Sequence, residues 1–514
     1  SSSNNTIEGN NVSDNSNGIY LSSSSNNTIK GNNVSNNDDG IFLSSSSNNT
    51  IEGNNAYGNN DDGICLSSSN NNLIEGNNAY GNNDDGIQLI SSDNNAIMGN
   101  NVCENNDGIY LGLSRNNTLE SNSATRNLDY GIYLKKSNNN SLGGNNASYN
   151  DRGIYLDKSR NTVMRDNVMS NNMYNFGADF EVGADSFGML QSSQNTGIIL
   201  SPQKGGADIE ASGDNDIDTS NLVDGKTIYY LVDESDVVID SSSNAGLVYC
   251  IDCENVTLNG LALANNSYGV YFLNTINSNI ENCHIINNEL GGFALGYSMN
   301  NTIKYNNASY NQFGICLLGS NNNSIAANDI RHNSMSGIIL TLGSRFNAIT
   351  ENQVVKNDGG IFVDRSSYNT LKGNNVSNNN LSISLSASGN NTITNNNVSY
   401  NELAGIALQT SNNNSISANN ASYNVAGIEL PGSNNNTFTA NRVDYNELGG
   451  FVLSESSNNT IRYNNASYNE FGIVTDNTSN DNTISENNVC HNVFGIGLLG
   501  YHNSIYLNSL VDNT

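Results

Sequence analysis

The sequence predicts an all-β fold, a right-handed parallel β-helix of about twenty coils, each 22–23 residues long. Three observations carry that prediction. A glycine followed by an apolar residue recurs at Gly18, Gly40, Gly63, Gly86, Gly108, Gly131 and Gly153, and again at Gly246, Gly269, Gly292, Gly314, Gly337 and Gly360. The beat skips to Ser382 and resumes at Gly405, Gly427, Gly450, Gly472 and Gly495. Apolar residues within a unit such as NNTIKGNNVSNNDDGIFLSSSS come in runs too short for helices, and Ile41, Phe42 and Leu43 alternate as a strand with one face inward. Nearly everything else is turn chemistry, in which Asn tolerates left-handed backbone and stacked amides can bond from coil to coil.

Each element follows from these observations. Ile29, Val34, Ile41 and Leu43 mark two or three short strands per unit. One coil cannot bury its apolar face alone, so copies stack with strands parallel and about 4.8 Å apart. Leucine-rich and hexapeptide repeats differ in length and consensus. Residues 1–163 are read as N-terminal coils and residues 245–514 as C-terminal coils of the same period. Residues 164–244 break the rhythm as an irregular insertion, with a strand, turn, strand element around Asp233, Glu234 and Ser235.

Low hydropathy and 48 Gly would by themselves suggest disorder, but the apolar residues are periodic. Nineteen basic against 49 acidic residues leave a net charge of −30, which repels nucleic acid and anionic membranes. No apolar run reaches the roughly 18 residues needed to span a bilayer, and no basic-plus-apolar leader opens the chain. A mature or trimmed product without a membrane-spanning segment is therefore expected. Having no Trp and only two Pro suits a backbone that must keep donating ladder hydrogen bonds.

The NNTI..NN.S.N..GI.L coils resemble the parallel β-helix repeats of the NosD-like, carbohydrate-binding and sugar-hydrolase class, especially archaeal surface proteins. The stretches from Met173 to Gly177 and from Asp216 to Ile239 resemble the central element of those members, whereas residues Phe180 to Asp214 fit least well. The resemblance implies a secreted or surface-displayed β-helix.

Candidate chemistry is sparse. Asp38 and Asp39, Asp61 and Asp62, Asp84 and Asp85, then Asp107 precede successive coil glycines, so stacking sets like charges about 5 Å apart. Calcium would compensate them, while the plainer reading is turn carboxylates fanning into water. Tyr400, Tyr423, Tyr445 and Tyr468, followed by His491, recur at one turn as a stripe that either stacks on itself or binds glycans or a partner. Tyr110, Tyr133 and Tyr155 form a shorter outward column. Asn-x-Ser/Thr triplets at Asn4, Asn26, Asn33, Asn48, Asn116, Asn146, Asn307, Asn397, Asn420 and Asn465 could carry glycans on an exported chain, although the turns require the same residues.

An enzyme on this fold needs clustered carboxylates with a basic residue on one face. Arg152 beside Asp151, and Arg331 with His332 after Asp329, lack a matching set from a second coil, and the DPHD string of mannuronan epimerases is absent. Copper handling needs grouped soft or imidazole ligands, whereas His284, His332, His491 and His502 are dispersed. Cys250 and Cys253 form a lone CxxC with Cys283 one coil on, short of a zinc site. The expectation is thus a non-enzymatic extracellular structural protein of the cell surface, with no cofactor beyond calcium. Its ends show no amphipathic cap, which suggests self-association head to tail into a filament or sheath. The alternative is a carbohydrate-binding or carbohydrate-active β-helix module, or an adhesin.

Overall fold

The computed structural model describes residues 2–179 and 215–514, which form strands and turns without a helix. No helix of the described residues is long and apolar enough to cross a membrane. The chain divides into two compact units. The first comprises Ser1–Val232, Asn244–Val248 and Asn265–Ser267; the second comprises Asp233–Ser243, Tyr249–Ala264 and Tyr268–Thr514.

In the first unit a typical coil contributes three strands, exemplified by Thr28–Lys30, Asn33–Ser35 and Asp39–Ser44. Equivalent strands pair in parallel and in register, so Ile29 lies between Ile7 and Ile51, and Ile74 between Ile51 and Ile97. Register is fixed because a one-residue slip would turn this isoleucine column, fully buried from Ile29 to Ile97, to solvent.

Within the break of rhythm the described residues resume the coil. Asp216–Ile217 pairs with Val163–Arg165, and Leu222–Val223 with Val168–Met169, before an antiparallel return through Lys226–Val232. The poorly fitting stretch 180–214 lies outside the described residues.

Asparagine holds the interior turns. Asn77, 1% exposed, accepts both the backbone N–H (2.9 Å) and the side-chain Nδ2 (3.0 Å) of Asn54 through its Oδ1, while its own Nδ2 donates to Ile51 O at 2.9 Å. The same three bonds recur coil after coil, and a serine column works likewise, with Ser46 N donating to Ser69 Oγ and Ser69 N to Ser92 Oγ. A buried amide is costly unless paired, and here most polar core positions are paired with their copies, Asn117 Nδ2 being an exception. The coil glycine serves the same packing: a Cβ on Gly63 would stand 2.7 Å from Asn82 Nδ2 and 2.7 Å from Gly86 O. Where the beat skips, Ser382 directs its hydroxyl to Ala404 O at 2.8 Å.

The second unit repeats this plan, with Asn419 bonding Asn396 and Ile393 as Asn77 bonds Asn54 and Ile51. It departs in one stretch. Every residue of Phe313–Leu318, Ser336–Thr341 and Gly359–Asp364 is buried, including the outward Cys316, Ile339 and Phe362. From Leu381–Ser386 onward the outward positions are partly open again.

Candidate functional site

The outer face of the first unit carries two columns beside the coil glycines. The residue before each glycine runs Asp39, Asp62, Asp85, Asp107, Tyr130, Arg152, with Asn17 above Asp39 and Tyr174 below Arg152. The residue two after each glycine runs Tyr20, Phe42, Cys65, Gln88, Tyr110, Tyr133, Tyr155. The columns touch: Gln88 Nε2 donates to Asp85 Oδ2 at 2.9 Å, and the Tyr130 and Tyr133 rings stack at 4.3 Å.

The acidic column does not fan into water as a unit. Asp38 and Asp61 are exposed, but Asp62 and Asp85 are 2% and 3% exposed and Asp107 is 9% exposed. Burial disfavours their charged forms. It pushes Asp62 up to about 8, against a backbone N–H from Asp85, and Asp85 up to about 9, with the Asp62 charge adding to it. Asp107 rises to about 6, again through burial, opposed by the Tyr130 N–H at 3.1 Å and raised further by Asp129.

Arg152 pairs with Asp129 of the preceding coil and with Asp151 at 3.1 Å, and its guanidinium lies 5.1 Å from the Tyr130 ring centroid. Tyr133 OH donates to Asp157 Oδ2 at 3.1 Å, and burial lifts its phenol. The tyrosines here meet at angles: Tyr110 and Tyr133 are tilted by 38°, and Tyr133 and Tyr155 by 70°. Carboxyls from adjacent coils, one arginine and a tyrosine floor thus share one surface. The sequence reading found no second coil to complete Arg152; the second coil supplies Asp129, one period earlier.

Among the described residues, the one group of three carboxylate, imidazole or thiol donors close enough for a metal is Asp61, Asp62 and Asp84, with ligand atoms within 4.8 Å of one another. Oxygen donors of this kind suit a hard cation such as calcium. Asp38, Asp39, Asp85 and Asp107 stand outside that group. The seven cysteines are free, and Cys283 occupies an asparagine-ladder position, its N–H donating to Asn306 Oδ1 at 2.8 Å.

In the second unit Tyr400, Tyr423, Tyr445 and Tyr468 form a continuous stack. Centroids are 4.8, 5.0 and 4.6 Å apart at interplanar angles of 7°, 3° and 2°, and His491 closes the column at 4.8 Å. The sequons divide in two. Asn4, Asn26, Asn48 and Asn116 are exposed left-handed turn residues. Asn146, Asn307, Asn397, Asn420 and Asn465 each accept the hydroxyl of their own sequon serine, and Asn33 lies exposed in a strand.

Comparison with known proteins places this surface on a defined scaffold. A family model described as right handed beta helix region matches residues 1–131, 57–222 and 359–511, more than half of the chain. The chain belongs to that right-handed parallel β-helix family. A second model, periplasmic copper-binding protein (NosD), matches residues 189–402, consistent with a NosD-like β-helix.

Copper itself does not fit the residues present, because the donors that cluster are hard carboxylates and the histidines sit in separate coils. No curated protein matches. Similar solved structures include the A-module of Azotobacter vinelandii mannuronan C-5 epimerase AlgE4 (15% identity, 79% of this chain and 90% of that one, TM-score 0.27). A periplasmic alginate epimerase, AlgG, is 14% identical over 87% of this chain and 77% of that one, with a TM-score of 0.26. A DFA-IIIase from Arthrobacter chlorophenolicus is 11% identical over 66% and 83%, with a TM-score of 0.36.

These proteins are enzymes, and against them the expectation of a non-enzymatic structural protein of the cell surface is corrected. At such identities the likeness speaks for the fold alone, so the chemistry must be argued from the residues of this chain.

Proposed function

We propose that the protein is a carbohydrate-active β-helix working outside the cytoplasm, with its reacting surface on the outer face of the first unit. The observation that carries this reading is the set formed by Asp107, Asp129, Arg152 and the surrounding tyrosines. Asp107 titrates near 6, within the range where a carboxyl can give up and take back a proton in turnover. Asp129, one coil on, is half-exposed and paired with Arg152. Two-carboxylate hydrolysis of a glycosidic bond needs this asymmetry. The Asp107 proton goes to the leaving glycosidic oxygen as the bond to the anomeric carbon breaks, and Asp129 takes a proton from the attacking water. Tyr110, Tyr133 and Tyr155 offer tilted aromatic surface on which a sugar can rest.

The test is release of reducing ends from a panel of neutral polysaccharides. Wild-type activity should fall as pH rises through about 6, because the acid form of Asp107 is lost. Asp107→Asn should lose on the order of a hundredfold or more, with its near-ultraviolet circular dichroism unchanged. Equal activity of Asp107→Asn and wild type would sink the assignment.

A further inference from the structure

The turn position that bears the tyrosine ladder is left-handed in every coil, with φ from +57° to +61° at Tyr400, Tyr423, Tyr445 and Tyr468. Gly and Asn adopt this geometry at little cost, whereas another residue is strained by about 1–2 kcal/mol. Tyrosine is therefore not there for the turn. Ring stacking offsets part of the strain, and it has a consequence for recognition.

With neighbours parallel within 7° and centroids 4.6–5.0 Å away, both faces of each inner ring are occupied. The stacking of a sugar on a ring face, which an isolated tyrosine offers, is closed to the interior of this ladder. What the ladder presents is a row of ring edges and phenol hydroxyls, one per coil. Beside that row runs an open groove lined by Tyr445, Glu447, Tyr468, Glu470, His491 and Val493.

We propose that this groove binds a linear neutral glycan lying along the stack of coils, each sugar hydrogen-bonded edge-on by one phenol hydroxyl and, where present, a neighbouring glutamate. The ladder repeat of 4.6–5.0 Å is close to the length of one sugar residue in an extended chain, so successive sugars face successive phenol hydroxyls. Carboxylates are strong acceptors for sugar hydroxyls. Glu402, Glu447 and Glu470 at this turn, in a chain of net charge −30, repel a polyuronate. The inference shares its class of ligand with the reading above and none of its residues, so the two fail separately.

Titration calorimetry with cello-, xylo- and manno-oligosaccharides from dimer to hexamer tests it on the full chain. Affinity should rise with chain length for at least one neutral series. The double variant Tyr445→Phe, Tyr468→Phe keeps the ring stack, checked by near-ultraviolet circular dichroism, but lacks two hydroxyls and should bind at least about tenfold more weakly. Tyr368→Phe, at an exposed ring outside both sites, should bind as wild type does. Absence of binding across the panel overturns the proposal. So does undiminished binding by the phenylalanine variant, which would assign recognition to the apolar rings, and so does equal binding of polyuronate oligomers.

Discussion

The two units share an interior and differ outside it. Inside, Asn77 and Asn419 make the same three bonds to the coil before them. Outside, the position before the coil glycine is Asp39, Asp62, Asp85 and Asp107 in the first unit, but Gly359, Leu381, Ala404, Ala426 and Gly449 in the second. The turn that carries Gly58, Gly81 and Glu104 in the first carries the tyrosine ladder in the second. The fold constrains core positions tightly because each must satisfy a copy of itself, and leaves outward columns free. Chemistry on such a scaffold is written in columns, and a column acts as one feature.

The largest expected effect tests the shared interior. Asn77→Ala takes the acceptor from the Asn54 N–H, one of the acceptors from Asn54 Nδ2 and the side-chain donor from Ile51 O in the buried core, which should cost roughly 3–5 kcal/mol. Asn419→Ala should cost the same within error, measured by chemical denaturation of each full-length variant. A clear inequality would show that the two interiors are not equivalent.

Next in size is the acidic column. Asp85 holds its proton more tightly folded than unfolded, so the stability it contributes is complete below the ordinary value of 3.8 and is lost as pH climbs through about 9. Asp62, pushed to about 8, acts in the same direction. Asp85→Asn should be neutral at pH 4 and stabilise on the order of 1–3 kcal/mol near pH 9. Thermal unfolding across that range would detect it, and a variant that parallels wild type at every pH would break the contrast with the second unit.

The coil period, the glycine beat and the asparagine ladders were legible in the sequence because each repeats at a fixed offset and has one physical cause. The orientation of the aspartate pairs was not. In Asp61 and Asp62 the second residue alone is buried, which residue type does not reveal. The Arg152 cluster was missed although a signal existed: Asp129 lies 23 residues before Arg152, one period away, so a search for partners at the repeat offset would have found it. That the tyrosine ladder stacks on itself was one of the readings its even spacing allowed, but not its parallel geometry, since equal spacing also fits the tilted rings of Tyr133 and Tyr155.

The smallest effect separates strain from stacking at the ladder turn. Tyr445→Gly relieves about 1–2 kcal/mol of left-handed strain and forfeits ring contacts with Tyr423 and Tyr468 of about 0.5–1.5 kcal/mol each, so the net change should stay within about 1 kcal/mol. In the first unit the reciprocal Gly81→Tyr meets no ring, because Gly58 and Glu104 flank it, and a Cβ there touches nothing within 4 Å. It should carry the strain uncompensated and destabilise by about 1–2 kcal/mol. Denaturant midpoints for the two variants decide the matter. If Tyr445→Gly is the more damaging of the two, stacking contributes more than paired rings ordinarily do, and the ladder is first a structural brace. If it is nearly silent, the tyrosines are held in that row for what their edges meet.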